Sequence, residues 1–270
     1  MSSAAEAVAP RLTFASLTDI GKVRTHNEDF LGDPRSMSAF TGDRRGLSRM
    51  GWLFAVADGM GGHADGEVAS RVAIEALFAS YYASVQEPQL ALAGAMAAAN
   101  EAVCRAADSR AQPRSSRSRM GTTLVTAVLS GPRIVVGNVG DSRAYLLVDG
   151  RLRQVTQDHS FVAEEVQMGL ITAQQARRAP LRNVVTRALG SKESARPDLF
   201  EVPWRTGGVL LLCTDGLHGV VEDRAIEAVL AEDPPDRAVR RLIDAANAAG
   251  GPDNISAIVV RTDGGSEGRS

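Results

Sequence analysis

Apolar and polar positions along the chain follow two periods. Short runs rich in Val, Leu, Ile and Phe at 12–19, 52–57, 122–129, 133–139, 143–148, 151–155, 209–213 and 254–261 predict strands. VLLLC at 209–213 is apolar throughout, as a buried strand requires. Asp149-Gly150 between two of the runs marks a tight hairpin, because both turn positions tolerate positive φ. Residues 67–85 place Val68, Val72, Leu77 and Tyr81 at three- to five-residue spacing, which predicts a core-facing helix. An Ala-rich helix over 89–109 follows, with Leu92, Met96 and Val103 inward. Residues 160–190 turn polar and helical, with a short helix over 170–178 capped by Thr172 and ended before Pro180. Two more helices are predicted at 222–232 and 235–249, the second entered through Pro234-Pro235. Residues 32–50 read as a loop, and 110–120 as a basic, Ser-rich surface break.

This order lacks the βαβα rhythm of a doubly wound sheet. It predicts an α+β fold in which antiparallel sheets are covered by helix pairs. There is no internal repeat and no linker. The expectation is one domain over 10–263 with an insert at 160–190, and disordered tails at 1–9 and 264–270.

Composition narrows the function. The chain has 270 residues, 44% hydrophobic and 23% charged, with a net charge of −2. That length buries a substantial core, and the near-neutral balance argues against nucleic-acid binding. No apolar run approaches the roughly 20 residues that span a bilayer. The opening MSSAAEAVAP lacks the basic and apolar regions of a secretory signal. The two cysteines, Cys104 and Cys213, read as buried free thiols of a cytoplasmic protein.

Four aspartates stand where apolar strands run out or begin: LFAVA-Asp58-Gly59, IVVGNVG-Asp141-Ser142, VLLLCT-Asp215-Gly216 and Gly251-Pro252-Asp253-Asn254-ISAIVV. A carboxylate at the mouth of an apolar strand pair is costly unless its charge is compensated. Four such positions predict one acidic pocket, and a hard divalent cation is the simplest common partner. In Asp58-Gly59-Met60-Gly61-Gly62-His63, three glycines let the backbone turn sharply and approach a ligand. The stretch Gly21 to Asp29 adds Arg24, suited to a tetrahedral phosphate, and the acids Glu28 and Asp29, which could bind a metal or fix its waters.

At this point the chain resembles the metal-dependent serine/threonine protein phosphatases of the type 2C (PPM) family, in their bacterial form. The resemblance rests on VRTHNED, FAVADGMGGHADGEVAS, GTTLVTAVL, VGNVGDSRAYLL, VTQDHS, VVTRALG, LLLCTDGL and GGPDNISAIVV, in family order from about residue 14 to 261. It implies a four-layer αββα sandwich, two antiparallel sheets flanked by helix pairs. It implies that Asp58 bridges two Mn2+ or Mg2+ ions, that Asp215 and Asp253 complete the first, and that the Gly59 carbonyl helps hold the second. Asp141 with Asp215 would form a weaker third site, Glu28 and Asp29 would lie near the second ion, and Arg24 would bind the substrate phosphate. Two divalent ions about 3.5–4 Å apart can activate a bridging water and neutralise the phosphoryl oxygens. The leaving alkoxide needs a proton, for which His63, five residues from Asp58, is the best candidate; His26, His159 and His218 are weaker ones. In other family members the histidine follows Asp-Gly directly, whereas here Met60-Gly61-Gly62 intervene. The insert at 160–190 would be the flap over the active site. Its Arg177, Arg178, Arg182 and Arg187 would either steer acidic phosphopeptides or form a solvated face.

The implied partners are phosphorylated proteins, among them a Ser/Thr kinase and its targets, with no nucleic acid or membrane, and the implied state is a monomer. A metal-free interaction module would have lost one of the acidic positions, and none is lost. A nuclease would carry a basic surface and aromatic stacking runs. A zinc enzyme is disfavoured by four histidines, two distant cysteines and no HExxH or CxxC.

Overall fold

The two faces of β10 (Val209–Cys213) set the layering. Val209, Leu211 and Cys213 pack with one group of helices, while Leu210 and Leu212 pack into a layer between two sheets. Alternation across a strand sends successive side chains to opposite faces, so a strand covered on both sides must be apolar at every position. The computed structural model describes residues 11–38, 47, 49–61, 64–110, 120–177, 179–191 and 195–263.

β10 is the middle strand of a five-stranded sheet with the order β1-β11-β10-β7-β8. Its other members are β1 (Arg11–Asp19), β7 (Arg143–Val148), β8 (Arg151–Gln154) and β11 (Ile255–Asp263). The second sheet runs β2-β3-β5-β6-β9 through β2 (Asp29–Gly32), β3 (Trp52–Met60), β5 (Leu124–Ser130), β6 (Arg133–Val139) and β9 (Asp198–Pro203). A two-residue β4 (Gly121–Thr122) pairs with the end of β3. The strand pairs are antiparallel.

Helices α1 (Ala64–Ala83) and α2 (Pro88–Arg110) cover the second sheet. The insert contributes α3 (Phe161–Gln167) and α4 (Ala173–Ala176), and a single turn α5 (Asp215–His218) follows β10. Helices α6 (Asp223–Glu232) and α7 (Pro235–Ala248) cover the first sheet. The result is the αββα sandwich of the sequence expectation. Its central layer is filled from both sheets by Phe14, Phe54, Val56, Val125, Ile134, Val136, Leu146, Leu210, Leu212, Ile258 and Val260.

Several local expectations change. β3 does not stop at Ala57 but runs on through Asp58 and Gly59 to Met60, because β4 supplies a partner for Gly59 and Met60. β2 and β9 are strands with weak signals of their own, one only four residues long and the other a half-exposed edge. The segment 32–50 is not simply a loop: Met37 and Met50 are buried, and Leu47 and Met50 are helical. On α1 the core stripe runs through Ala73, Ile74, Leu77, Phe78 and Tyr81, with Val68 and Val72 at its half-buried margin. Cys213 is buried but Cys104 is only half-buried. The Thr172 cap is present as a full capping box with Gln175. Asp149 and Gly150 take φ 52° and 73°, as the hairpin requires. The basic break at 110–120 falls almost wholly outside the described residues, as do the tails and Arg178.

The insert leaves the sandwich through a narrow neck. Thr186 N–H donates to the His159 carbonyl at 2.8 Å, Phe161 N–H donates to the Val184 carbonyl at 2.9 Å, and the Thr186 hydroxyl donates to Glu164 at 2.7 Å.

Gly32 shows how closely α1 lies on the second sheet. A Cβ there would stand 2.6 Å from Ile74 Cγ2 and 2.6 Å from Phe78 Cε2, both stiff side chains. Gly32→Ala is expected to lower stability by about 1–3 kcal/mol through overpacking, read as a shift in the urea midpoint at unchanged m-value.

Candidate metal and phosphate site

The inter-sheet layer is apolar along most of its length and turns polar at one end. Side chains two apart on a strand share a face. The face that carries Trp52, Phe54 and Val56 on β3 therefore continues to Asp58, and the face of Leu31 on β2 begins at Asp29. The faces of Val125, Leu212 and Ile258 likewise lead to Thr123, Thr214 and Ser256. Acids and hydroxyls from both sheets thus meet where the apolar filling stops.

Asp29 and Asp58 are direct cross-strand partners in the β2–β3 register, a pairing of like charges that is unfavourable by itself. Burial, opposed by the Ser256 and Thr214 hydroxyls and reinforced by the charges of Asp215 and Asp253, pushes Asp29 up to about 7. Burial and then Asp253 push Asp215 up to about 6. Asp58 is pushed well above the usual carboxylate range by burial and by Asp29, Asp215 and Asp141. Asp141 moves the same way through burial, Asp215 and Asp158. Asp29 Oδ1 and Asp215 Oδ1 are buried and have no hydrogen-bond partner among the described residues.

Backbone and hydroxyl contacts set the positions of these acids. Asp58 N–H donates to Thr123 Oγ1 at 3.0 Å, its carbonyl accepts from the Thr122 hydroxyl at 2.8 Å, and Thr123 Oγ1 lies 2.8 Å from the Ser142 hydroxyl beside Asp141. Thr123 thus links the end of β3 at Asp58 to the loop of Asp141. His218 Nε2 lies 3.0 Å from the Asp141 carbonyl. Burial, with Arg143 next, holds His218 well below its usual range, so it stays neutral and donates there.

Gly140, just before Asp141, adopts φ +109°, and a Cβ would come within 2.6 Å of Thr123. Its amide points at His159 Nδ1, 3.1 Å away. An amide can only donate, so Nδ1 accepts and Nε2 carries the proton toward Asp198 Oδ2, 3.0 Å away. Arg187 donates to the other oxygen of Asp198. His159 therefore ties the Asp141 loop to β9 and to the neck of the insert.

The first turn is fastened to the last loop by Asn254. Its amide donates to the carbonyls of Ile20 at 3.0 Å and His26 at 2.9 Å, and its oxygen accepts from Glu28 N–H at 2.8 Å. Glu28 in turn accepts from Gly59 N–H at 3.1 Å and from the Ser70 hydroxyl at 2.6 Å through its carbonyl. Arg24 donates to Asp253 Oδ2 at 2.7 Å, and that bond raises the guanidinium pKa further. A Cβ on Gly59 would lie 2.1 Å from the Gly66 carbonyl, and one on Gly66 would lie 2.3 Å from Glu28 Oε2. The Gly-rich segment thus lets β3, the start of α1 and Glu28 approach backbone to backbone.

Asp29, Asp58, Asp141, Asp215, Asp253, Glu28, Gly59 and Arg24 accordingly gather at one end of the sandwich. His63 lies outside the described residues. His26 is exposed in the first turn, and His159 and His218 are engaged in the contacts above. Thr123, Ser142, Thr214, Ser256 and Asn254 carry no charge and stood out only as neighbours of the motif acids. Among the described residues no three acidic, imidazole or thiol groups already converge as a ready-made metal cluster. The carboxylates instead lie close enough to act on one another's ionisation. The donor set is all oxygen, two carboxylate oxygens are unpartnered, and the acids raise one another's pKa values. That arrangement fits a hard divalent cation.

Comparisons with known proteins agree in one direction. The family model described as protein phosphatase 2C matches residues 43–258. The serine/threonine phosphatase stp of Listeria monocytogenes is 35% identical over 258 residues, 93% of this chain and 96% of that protein. The crystal structure of the Mycobacterium tuberculosis serine/threonine phosphatase PstP/Ppp superposes with a TM-score of 0.80 at 36% identity, covering 94% of this chain and 99% of that one. The catalytic domain of PstP in complex with two manganese ions gives 0.78 at 35% identity, over 94% and 99%.

Raised carboxylate pKa values set the sign of a pH effect. Asp29 and Asp215 bind protons in the folded state up to about 7 and about 6, whereas in the unfolded chain they release them near 3.9. Between those limits the folded state holds more protons, so stability falls as pH rises. Protein kept in EDTA is expected to melt at a lower temperature at about pH 7.5 than at about pH 5.5, with Mn2+ restoring the loss. Asp29→Asn should flatten the EDTA profile; an unchanged slope would assign the dependence elsewhere.

Proposed function

The chain belongs to the protein phosphatase 2C family, and from that membership we propose that it hydrolyses phosphoserine and phosphothreonine on proteins with the aid of two divalent cations, Mn2+ or Mg2+. The supporting observation is the group of mutually repelling carboxylates drawn from both sheets, with two buried oxygens left unpartnered. When bound, the cations supply a Lewis-acid centre that lowers the pKa of water and neutralises phosphoryl charge.

Asp58 would be shared between the two cations, with Asp215 and Asp253 holding the first and the Gly59 carbonyl the second. Asp141 with Asp215 makes a weaker third position. Glu28 and Asp29 support the second, directly or through water. Arg24 uses one nitrogen on Asp253, and its remaining N–H groups would hold the substrate phosphate. His63 is the proposed proton donor to the leaving serine or threonine oxygen. Residues 10–263 form the catalytic domain, with 160–190 as its flap.

The substrates we propose are a Ser/Thr kinase and the proteins it phosphorylates. No helix among the described residues is long and apolar enough to cross a membrane. Cys104 and Cys213 are not joined in a disulfide, which suits a reducing compartment, and we propose that the protein works in the cytoplasm as a monomer.

Purified protein with Mn2+ is expected to release phosphate from p-nitrophenyl phosphate and from phosphothreonine peptides, and Asp58→Asn to lose that activity together with calorimetric Mn2+ binding. Activity equal to the parent in Asp58→Asn, or no activity in the parent, would sink the reading. Arg24→Ala should raise KM for small phosphate esters about ten-fold, the size of a lost charge-assisted contact, with a smaller change in kcat. An unchanged KM would remove Arg24 from the phosphate.

A further inference from the structure

A cleft of about 550 Å³ opens directly from Asp141 and Asp215 and runs beneath the insert. Its roof is apolar, made by Val162 and Val166 of α3 with Ala173 and Ala176 of α4. Its rim carries the guanidinium groups of Arg177 and Arg182. The volume lies in the range of binding pockets for ligands of drug-like or short-peptide size.

The charges along this cleft are unevenly satisfied. Arg143 is held by Asp158 through contacts of 2.6–3.0 Å, so that pair is internally neutral. Burial acts against the Arg143 charge, but the bonds and charge of Asp158 outweigh it and raise the guanidinium pKa, so Arg143 stays charged. Arg177 lies 3.9 Å from Asp223, with both side chains more than half exposed, so this is a loose and screened pair. Arg182 is exposed and makes no ion pair among the described residues. Apart from Asp141 and Asp215, three guanidinium groups thus face two carboxylates, and the surplus positive charge is at Arg182. A protein substrate whose phosphoresidue reaches Asp141 and Asp215 must lead its flanking backbone away along some surface. This cleft begins at those residues.

We propose that the cleft beneath the insert binds the segment flanking the phosphorylated residue and selects an anionic side chain, carboxylate or second phosphate, through Arg182. This rests on the phosphatase reading above. The apolar roof takes the aliphatic part of the segment, and Arg177 exchanges its loose partner for the same anion.

The test uses full-length protein with Mn2+ and a set of phosphothreonine peptides. At each position within about four residues of the phosphothreonine they carry Ala, Asp or phosphoserine. The readout is the ratio of kcat/KM for the anionic peptide to that for the Ala peptide. A ratio of about three to five is expected at one or two positions, the size of a partly exposed ion pair. Arg182→Ala should bring it to about one and Arg182→Glu should bring it below one. An advantage for phosphoserine without one for Asp assigns the second phosphate as the ligand; an advantage for both assigns anionic side chains in general. Ratios near one at every position in the parent protein, or an advantage kept by both variants, would overturn the proposal. Absence of turnover on p-nitrophenyl phosphate and on every peptide would defeat the phosphatase reading and this one with it, whereas turnover without discrimination defeats the cleft alone.

Discussion

The layer between the two sheets cannot be apolar to its end, because the residues there are carboxylates in a place that water reaches poorly. Asp29 and Asp58 sit opposite each other across a strand pair, and Asp141, Asp215 and Asp253 add to the same field. Desolvation and like charge both act against their ionised forms. Much of the local structure answers that constraint. Hydroxyls of Thr214 and Ser256 face Asp29, Arg24 faces Asp253, and two carboxylate oxygens find no hydrogen-bond partner among the described residues. A site organised this way gives up stability in the uncompensated protein in exchange for affinity for a cation.

The strain is contained by uncharged connectors. Thr123 holds the Asp58 amide and meets Ser142, so the end of β3 and the Asp141 loop keep a common register. Asn254 closes the first turn onto the last loop with three hydrogen bonds, although the two are more than two hundred residues apart in sequence. His159 performs the same task on the other side, joining Gly140 to Asp198. These residues hold carboxylates from different elements at a fixed separation, which side-chain charge alone would push apart. The insert shares in this, since its neck ends on His159 and its underside forms the cleft that starts at Asp141 and Asp215.

Most of the elements were legible because their patterns are local. VLLLC announces a strand covered on both faces, Thr172 with Gln175 a cap, Asp149-Gly150 a hairpin and Pro235 a helix start. What was not legible depended on a partner. β3 extends past Asp58 only because β4 pairs with it, and β2 and β9 exist as strands because neighbours complete them. Leu47 and Met50 lie in a stretch that reads as loop, since its core contacts come from distant parts of the chain. The acidic motifs and Arg24 stood out in the sequence by residue type and by their place at strand ends. The connecting roles of Thr123, Asn254 and His159 did not, because nothing about a lone Thr, Asn or His shows which distant group it will meet.

The sequence by itself determined the layered α+β class, the family and the acids of the site, since strand alternation, motif order and charge are all written residue by residue. Only the tertiary structure decided that Asp29 and Asp58 face each other, that the acids lie at the polar end of the inter-sheet layer, and that a cleft lined by Arg182 leads away from them. The reason is that strand register and sheet-on-sheet packing set distances between residues far apart in the chain. Burial, carboxylate pKa and charge complementarity all follow from those distances.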